Sequence, residues 1–267
     1  MHPVAITIGA IIGGQVALWL PLALWRWIYP LTDWSLLAFL LLGLLLLRAA
    51  FLPAVATNRA RLGIELRAGS FLNNYLTGRL NAAFSAVAFT ALALPVLAWQ
   101  ALTVPPETLL GFLALSLSAG GIALGVEAWL LRHFSPWLAC TSSITIATLL
   151  AALFFVPLLA WLNWHYVSHP AEIMRQPMLE TMASSIDNLP VRRGWPAEIL
   201  SVFYAFDAAK LWLTVKFGAS GWITALYSLD AALSGLVIAR ASALLTNLIA
   251  RDMRAWLGAR ADEGPTK

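Results

Sequence analysis

Residues 220–256 read SGWITALYSLDAALSGLVIARASALLTNLIARDMRAW, a run apolar enough to cross a bilayer that carries Asp230 and Arg240 inside it. A span over 225–245 measures about 30 Å at 1.5 Å per residue and leaves each charge roughly 7.5 Å from its nearer surface. Arginine reaches that far along its apolar stem, whereas aspartate is short and does not. On this reading Arg240 snorkels toward the cytoplasm and Asp230, toward the outside, is the costly residue. Near the bilayer centre it would cost about 2.5 to 3.5 kcal/mol, so it should face the bundle or water and have a partner. Lys210 and Lys216 are the nearest candidates on that side.

The composition around this stretch agrees with a membrane solvent. Of 267 residues, 60% are hydrophobic and only 11% charged, with a mean hydropathy of +0.78. Soluble domains carry about a quarter charged residues. The net charge of +4 does not point to nucleic acid, because the basic residues form no soluble module and no DNA- or RNA-binding motif is present. They read instead as topology signals. Cys140 is the lone cysteine, which excludes an internal disulfide framework and a cysteine-based metal cluster.

Apolar runs place spans at roughly 4–25, 35–55, 81–102, 108–131 and 143–162, with a last one inside 221–250. The first is too long for a signal-peptide core, lacks a basic leader and has no small-residue cleavage site after it, so it is expected to remain as an anchor. Between the second and third spans Arg48, Arg59, Arg61, Arg67 and Arg79 face the single acid Glu65, whereas the third and fourth are joined by the acidic turn ending at Glu107. The positive-inside rule makes the loop 56–80 cytoplasmic and the turn external. It follows that 163–198 is external and the tail 251–267, with Arg251, Arg254 and Arg260, cytoplasmic. The expected fold is an all-α polytopic bundle of six spans with both termini inside. Apolar positions continue past the last span toward Trp256 and Leu257, so that helix is expected to run on beyond the membrane.

Residues 199–217, ILSVFYAFDAAKLWLTVKF, are long enough to cross, but Asp207, Lys210 and Thr214 form a polar stripe at helical spacing. A crossing there would put the basic tail outside. The arginine asymmetry therefore favours an amphipathic interfacial or re-entrant helix on the outer side.

The intramembrane polar candidates are Asp230, Arg240, Asp207, Lys210, Glu127 and Gln15. Such residues mark ion, proton or polar-substrate paths, or else lock helices together; Asp207 and Lys210 also fit an exposed pair three residues apart on a wet face. In the loop 56–80, Leu62, Leu66, Leu72, Leu76 and Leu80 recur at near-helical intervals among Arg59, Arg61, Arg67 and Arg79, which describes a helix lying at the cytoplasmic face, attracted to anionic lipid or docking a partner. Gly9 with Gly13, and Gly121 with Gly125, are two small-residue motifs that would let helices approach closely. His165, His169 and Glu172 have the spacing of a metal site, but Pro170 interrupts the helix that would align them. The sequence implies no metal, haem or other cofactor, and no nucleotide-binding or hydrolase motif appears.

Six spans, termini inside, a basic helix-bearing loop after the second span and apolar helices in the external segment before the last span together resemble an ABC-2-type permease subunit. The resemblance lies in layout and covers the whole chain. It departs in that the family begins with a cytoplasmic interfacial helix, whereas here the first span begins almost at Met1. It implies that the segment from Arg59 to Leu80 docks a separate ATPase. The expected function is a permease-like subunit of a transport or export system in a bacterial inner membrane, non-catalytic itself, energised by a partner on the cytoplasmic side and acting as an oligomer or complex subunit. The alternative is a non-catalytic membrane scaffold subunit of a larger assembly.

Overall fold

The computed structural model describes residues 3–32, 34–65, 78–166, 177–189, 195–217 and 221–262. Eight α-helices make up the described residues: α1 (Pro3–Ile28), α2 (Ser35–Glu65), α3 (Arg79–Thr103), α4 (Pro106–Leu130), α5 (Pro136–Tyr166), α6 (Met178–Asp187), α7 (Trp195–Phe217) and α8 (Gly221–Asp262). Six of them, α1 to α5 and α8, are long and apolar enough to cross a membrane. The chain is therefore an integral membrane protein.

Local sequence explains where the helices stop. Pro105 and Pro106 end α3 and supply the first residue of α4, a position where proline loses no hydrogen bond, and Pro136 opens α5 in the same way. Gly78 precedes α3 with φ +67°, and a Cβ there would stand 2.8 Å from the Asn58 Cβ, so both the backbone and the close approach to α2 require glycine. Pro21, Pro53, Pro95 and Pro157 lie within helices without interrupting them. The Thr57 hydroxyl, one turn on from Pro53, bonds back to the Pro53 carbonyl at 3.0 Å.

α8 is the spine. In its apolar window, Leu229–Gly258, 72% of residues are buried, against 22–44% in the other spans, which identifies it as the helix the rest surround. α1, α2, α3, α4, α5 and α7 all pack against it. The buried residues are mostly small: Ala119, Ala123, Ala147, Ala239, Ala241 and Ala243 are inaccessible, while Leu44, Leu153 and Phe154 point outward. Lipid is as apolar as leucine, so burial of large side chains gains little, and close backbone approach drives association instead. Gly14 shows this: a Cβ there would come within 2.9 Å of the Thr246 Cα. Gly9 and Gly13 lie against Met253 and Ile249, as that motif leads one to expect. The second motif behaves otherwise, since nothing lies within 4 Å of a Cβ on Gly121 or Gly125, and the close contact is made by Gly120 against the Thr246 hydroxyl.

Two features of the helices differ from the sequence reading. α2 continues unbroken to Glu65, so Arg59 and Arg61, both exposed, ride on an extension of the second span. Residues 66–77, including Arg67, lie outside the described residues. α8 is a single helix from Gly221 to Asp262, and its apolar window sits further along the chain than 225–245. The contact of Gly9 with Met253 places the first residues of α1 beside the last turns of α8, so the beginning and end of the described chain share one end of the bundle.

Candidate functional site

The depth of each polar residue follows from the span centres. The middles of Val4–Ile28 and Thr108–Leu130 are residues 16 and 119. Gln15 meets Ser242 at 3.0 Å and Gly120 lies against Thr246, so the bilayer mid-plane crosses α8 near Ser242 to Thr246. Arg240 is then about 3–9 Å from the mid-plane along the axis, and Asp230 about 18–24 Å, beyond the roughly 15 Å half-thickness of the hydrocarbon. This reverses the sequence expectation. Asp230 sits at headgroup level and Arg240 is the residue deep in the membrane, because the span runs later in the chain than the charges alone suggest.

At the end away from the chain termini, α7 brings Lys210 between two acids. Its Nζ lies 2.7 Å from Asp230 Oδ2 and 2.9 Å from Asp207 Oδ1. Both Lys210 and Asp230 are 7% exposed, so the stripe on α7 faces the bundle and not water, correcting the wet-face reading. The Trp99 indole of α3 donates to the remaining oxygen of Asp207 at 2.9 Å. Burial works against the Lys210 ammonium, but the charges of Asp207 and Asp230, with the hydrogen bonds they accept, outweigh it and hold the amine above the ordinary lysine value. Lys216, the other partner expected for Asp230, is exposed and lies over the Trp212 ring at 4.9 Å.

A second cluster occupies the mid-plane. Gln15 Nε2 donates to the Ser116 carbonyl at 3.1 Å and to the Ser242 hydroxyl at 3.0 Å, and Ser116 Oγ donates to Gln15 Oε1 at 2.7 Å. Ser242 Oγ donates to the Ser116 carbonyl at 2.6 Å, and the Trp19 indole to Ser116 Oγ at 3.0 Å. Three helices, α1, α4 and α8, are joined here. About two turns toward Asp230, Gln100 of α3 donates to Ser234 at 2.7 Å.

The third cluster lies at the end shared by the chain termini. Arg254 grips Glu127 with two nitrogens at 3.2 and 3.3 Å, and Arg48 contacts Asp252 at 2.9 Å. Beside them is a chamber of about 340 Å³ between α2, α4, α5 and α8, bordered by Glu127, Arg251 and Arg254 at its rim and by Asn247 and Cys140.

The structure thus pairs four of the sequence candidates as ions, Asp207, Lys210, Asp230 and Glu127, and ties Gln15 into the core. Arg240 stands apart from all three clusters. Arg79, exposed, opens α3. His169 and Glu172 lie outside the described residues. Sequence reasoning missed Ser116, Ser234, Ser242 and Arg254. Part of their signal was present, since Asp230 with Ser234, and Ser242 with Thr246, are four apart along α8 and so share a face pairwise, although the series winds around the helix and shows no single polar face.

Comparison of the chain with protein-family models, with curated proteins and with solved structures finds no match. Function therefore has to be argued from these side chains.

Proposed function

We propose that this chain is the permease-like subunit of a transport or export system in a bacterial inner membrane, energised by a separate partner, with both termini and the 56–80 loop on the cytoplasmic side. The ABC-2-type layout belongs to this proposal, with the loop from Arg59 to Leu80 as the docking element. What supports it most is the series of polar groups that winds along α8. It passes from the Asp207–Lys210–Asp230 triad through Ser234 and the Gln15–Ser116–Ser242 cluster to Arg254, beside a chamber with charged side chains at its rim. A helix acting only as a packing spine needs neither a chamber nor a polar side chain at the bilayer centre, where each is costly unless satisfied.

The second reading, a scaffold subunit, is favoured by the ions themselves. Lys210 is saturated by two acids and Glu127 by one arginine, as in interhelical locks. Purification in mild detergent separates the two. The permease reading expects a stoichiometric nucleotide-hydrolysing partner that is released when Arg61 and Arg67 are replaced by Glu, because surface charge governs association more than internal packing. If only non-hydrolysing proteins co-purify, and they stay bound in that variant, the permease reading is overturned.

A further inference from the structure

Arg240 is deep in the bilayer, yet among the described residues it has neither a carboxylate nor a hydrogen-bond partner. Its contact is the Phe89 ring, 5.4 Å from the guanidinium carbon. It borders a groove of about 210 Å³ lined by α2, α3, α5 and α8. The polar side chains there include Thr57, Asn58, Asn81, Ser85 and Thr145, and no acid among the described residues lines it. Thr57 and Thr145 spend their hydroxyl hydrogens within the protein, and Asn58 donates to the Gly78 carbonyl at 3.3 Å. Asn81 and Ser85 have no partner among the described residues. Asn81 stands in the first turn of α3, at the positive end of that helix.

Three polar groups with no hydrogen-bond or ion partner among the described residues, one of them a full positive charge, thus line one groove. Arg240, Asn81, Ser85 and Thr145 are all exposed, so the groove opens sideways from the bundle, where the neighbour is lipid. Arg240 lies about 6–12 Å inside the hydrocarbon boundary, and a donor-rich site with a fixed guanidinium fork matches phosphate oxygens. We propose that the groove binds the phosphate headgroup of an anionic phospholipid drawn from the leaflet at the end shared by the chain termini, with its acyl chains remaining in the bilayer. Asn81, in the first turn of α3, lies about 15 Å from the mid-plane at headgroup level, and the apolar lining of Ala50, Pro53, Ala54 and Leu244 suits acyl chains, which favours a lipid over a free anion. The site stands independently of any transport role.

The test uses the delipidated, detergent-purified full chain and follows lipid retention by native mass spectrometry, with thermal unfolding as a second readout. Dioleoyl phosphatidylglycerol should bind and raise the melting temperature, while dioleoylglycerol, which lacks the phosphate, and inorganic phosphate should do neither. Arg240→Gln should weaken phosphatidylglycerol binding roughly tenfold or more, the loss expected of one charge-assisted contact, and Arg240→Lys should lose less. The double variant Asn81→Ala/Ser85→Ala removes no hydrogen bond among the described residues and should weaken binding in the same direction, which keeps the test valid should Arg240→Gln fail to fold. Equal stabilisation by inorganic phosphate would assign the groove to a free anion and overturn the lipid proposal. Undiminished phosphatidylglycerol binding by the double variant or by a folded Arg240→Gln would overturn the site itself.

Discussion

Lys210 and Asp230 join, at 2.7 Å, a helix outside the set of six spans to the helix on which the bundle is built. The pair is not isolated, because Asp207 holds the same ammonium at 2.9 Å from one turn away on α7. Sharing one cation between two acids makes the three positions unequal under substitution.

Asp230→Asn leaves Lys210 with Asp207, so it should lower stability only modestly. Lys210→Met strands the buried Asp230 and leaves Asp207, partly exposed, with the Trp99 indole alone, and should cost about 3–5 kcal/mol, the usual consequence of breaking a buried ion pair from one side. Neutralising all three together should recover most of that loss. Thermal unfolding of the three proteins in one detergent checks the order, and equal loss in the two single variants would contradict the shared-cation geometry.

The same triad sets a pH dependence. Lys210 keeps its proton above the ordinary value of 10.5, so its contribution to stability is fully present below that value and is lost as pH rises through the raised one. The melting-temperature difference between wild type and Lys210→Met should hold steady from neutral pH upward to that point and shrink only beyond it.

Close packing at Gly14 predicts a position-specific cost. Gly14→Ala drives a methyl into the Thr246 backbone and should destabilise by about 1–3 kcal/mol, as overpacking does. Gly121→Ala meets nothing within 4 Å and should be close to neutral. Denaturation of both variants in detergent measures the contrast.

Topology is testable with single cysteines in a Cys140→Ser background. Cysteines at 63 and 260 should react with an impermeant reagent only from the cytoplasmic side, and one at 187 only from outside. External labelling at 260 would show an odd number of crossings and turn α7 into a span.

Much of this architecture was legible because membrane spans announce themselves by length and hydropathy. The six spans, the absence of strands among the described residues and Lys210 as the partner of Asp230 all follow from local pattern. Depth was harder to read. A charge inside an apolar run draws the eye to the shortest span that contains it, and 225–245 set both charges at equal depth, which made the short Asp230 side chain the costly one. The longer helix moves Asp230 out to headgroup level and Arg240 inward. Which glycine makes a contact was equally hidden, since Gly120 and Gly121 differ by 100° around α4 and only the neighbours decide which one faces α8. The Gln15–Ser116–Ser242 cluster links positions 101 and 227 residues apart, a pairing that no local period encodes.

Because α8 is the sixth span in chain order, five helices enter the bilayer before the one they surround exists. During synthesis they have only one another and lipid for company, with the small-residue faces meant for α8 still open. Assembly of the bundle therefore waits on its last helix: until Gly221–Asp262 is in place, the faces of the earlier helices that pack on it have nothing to close against.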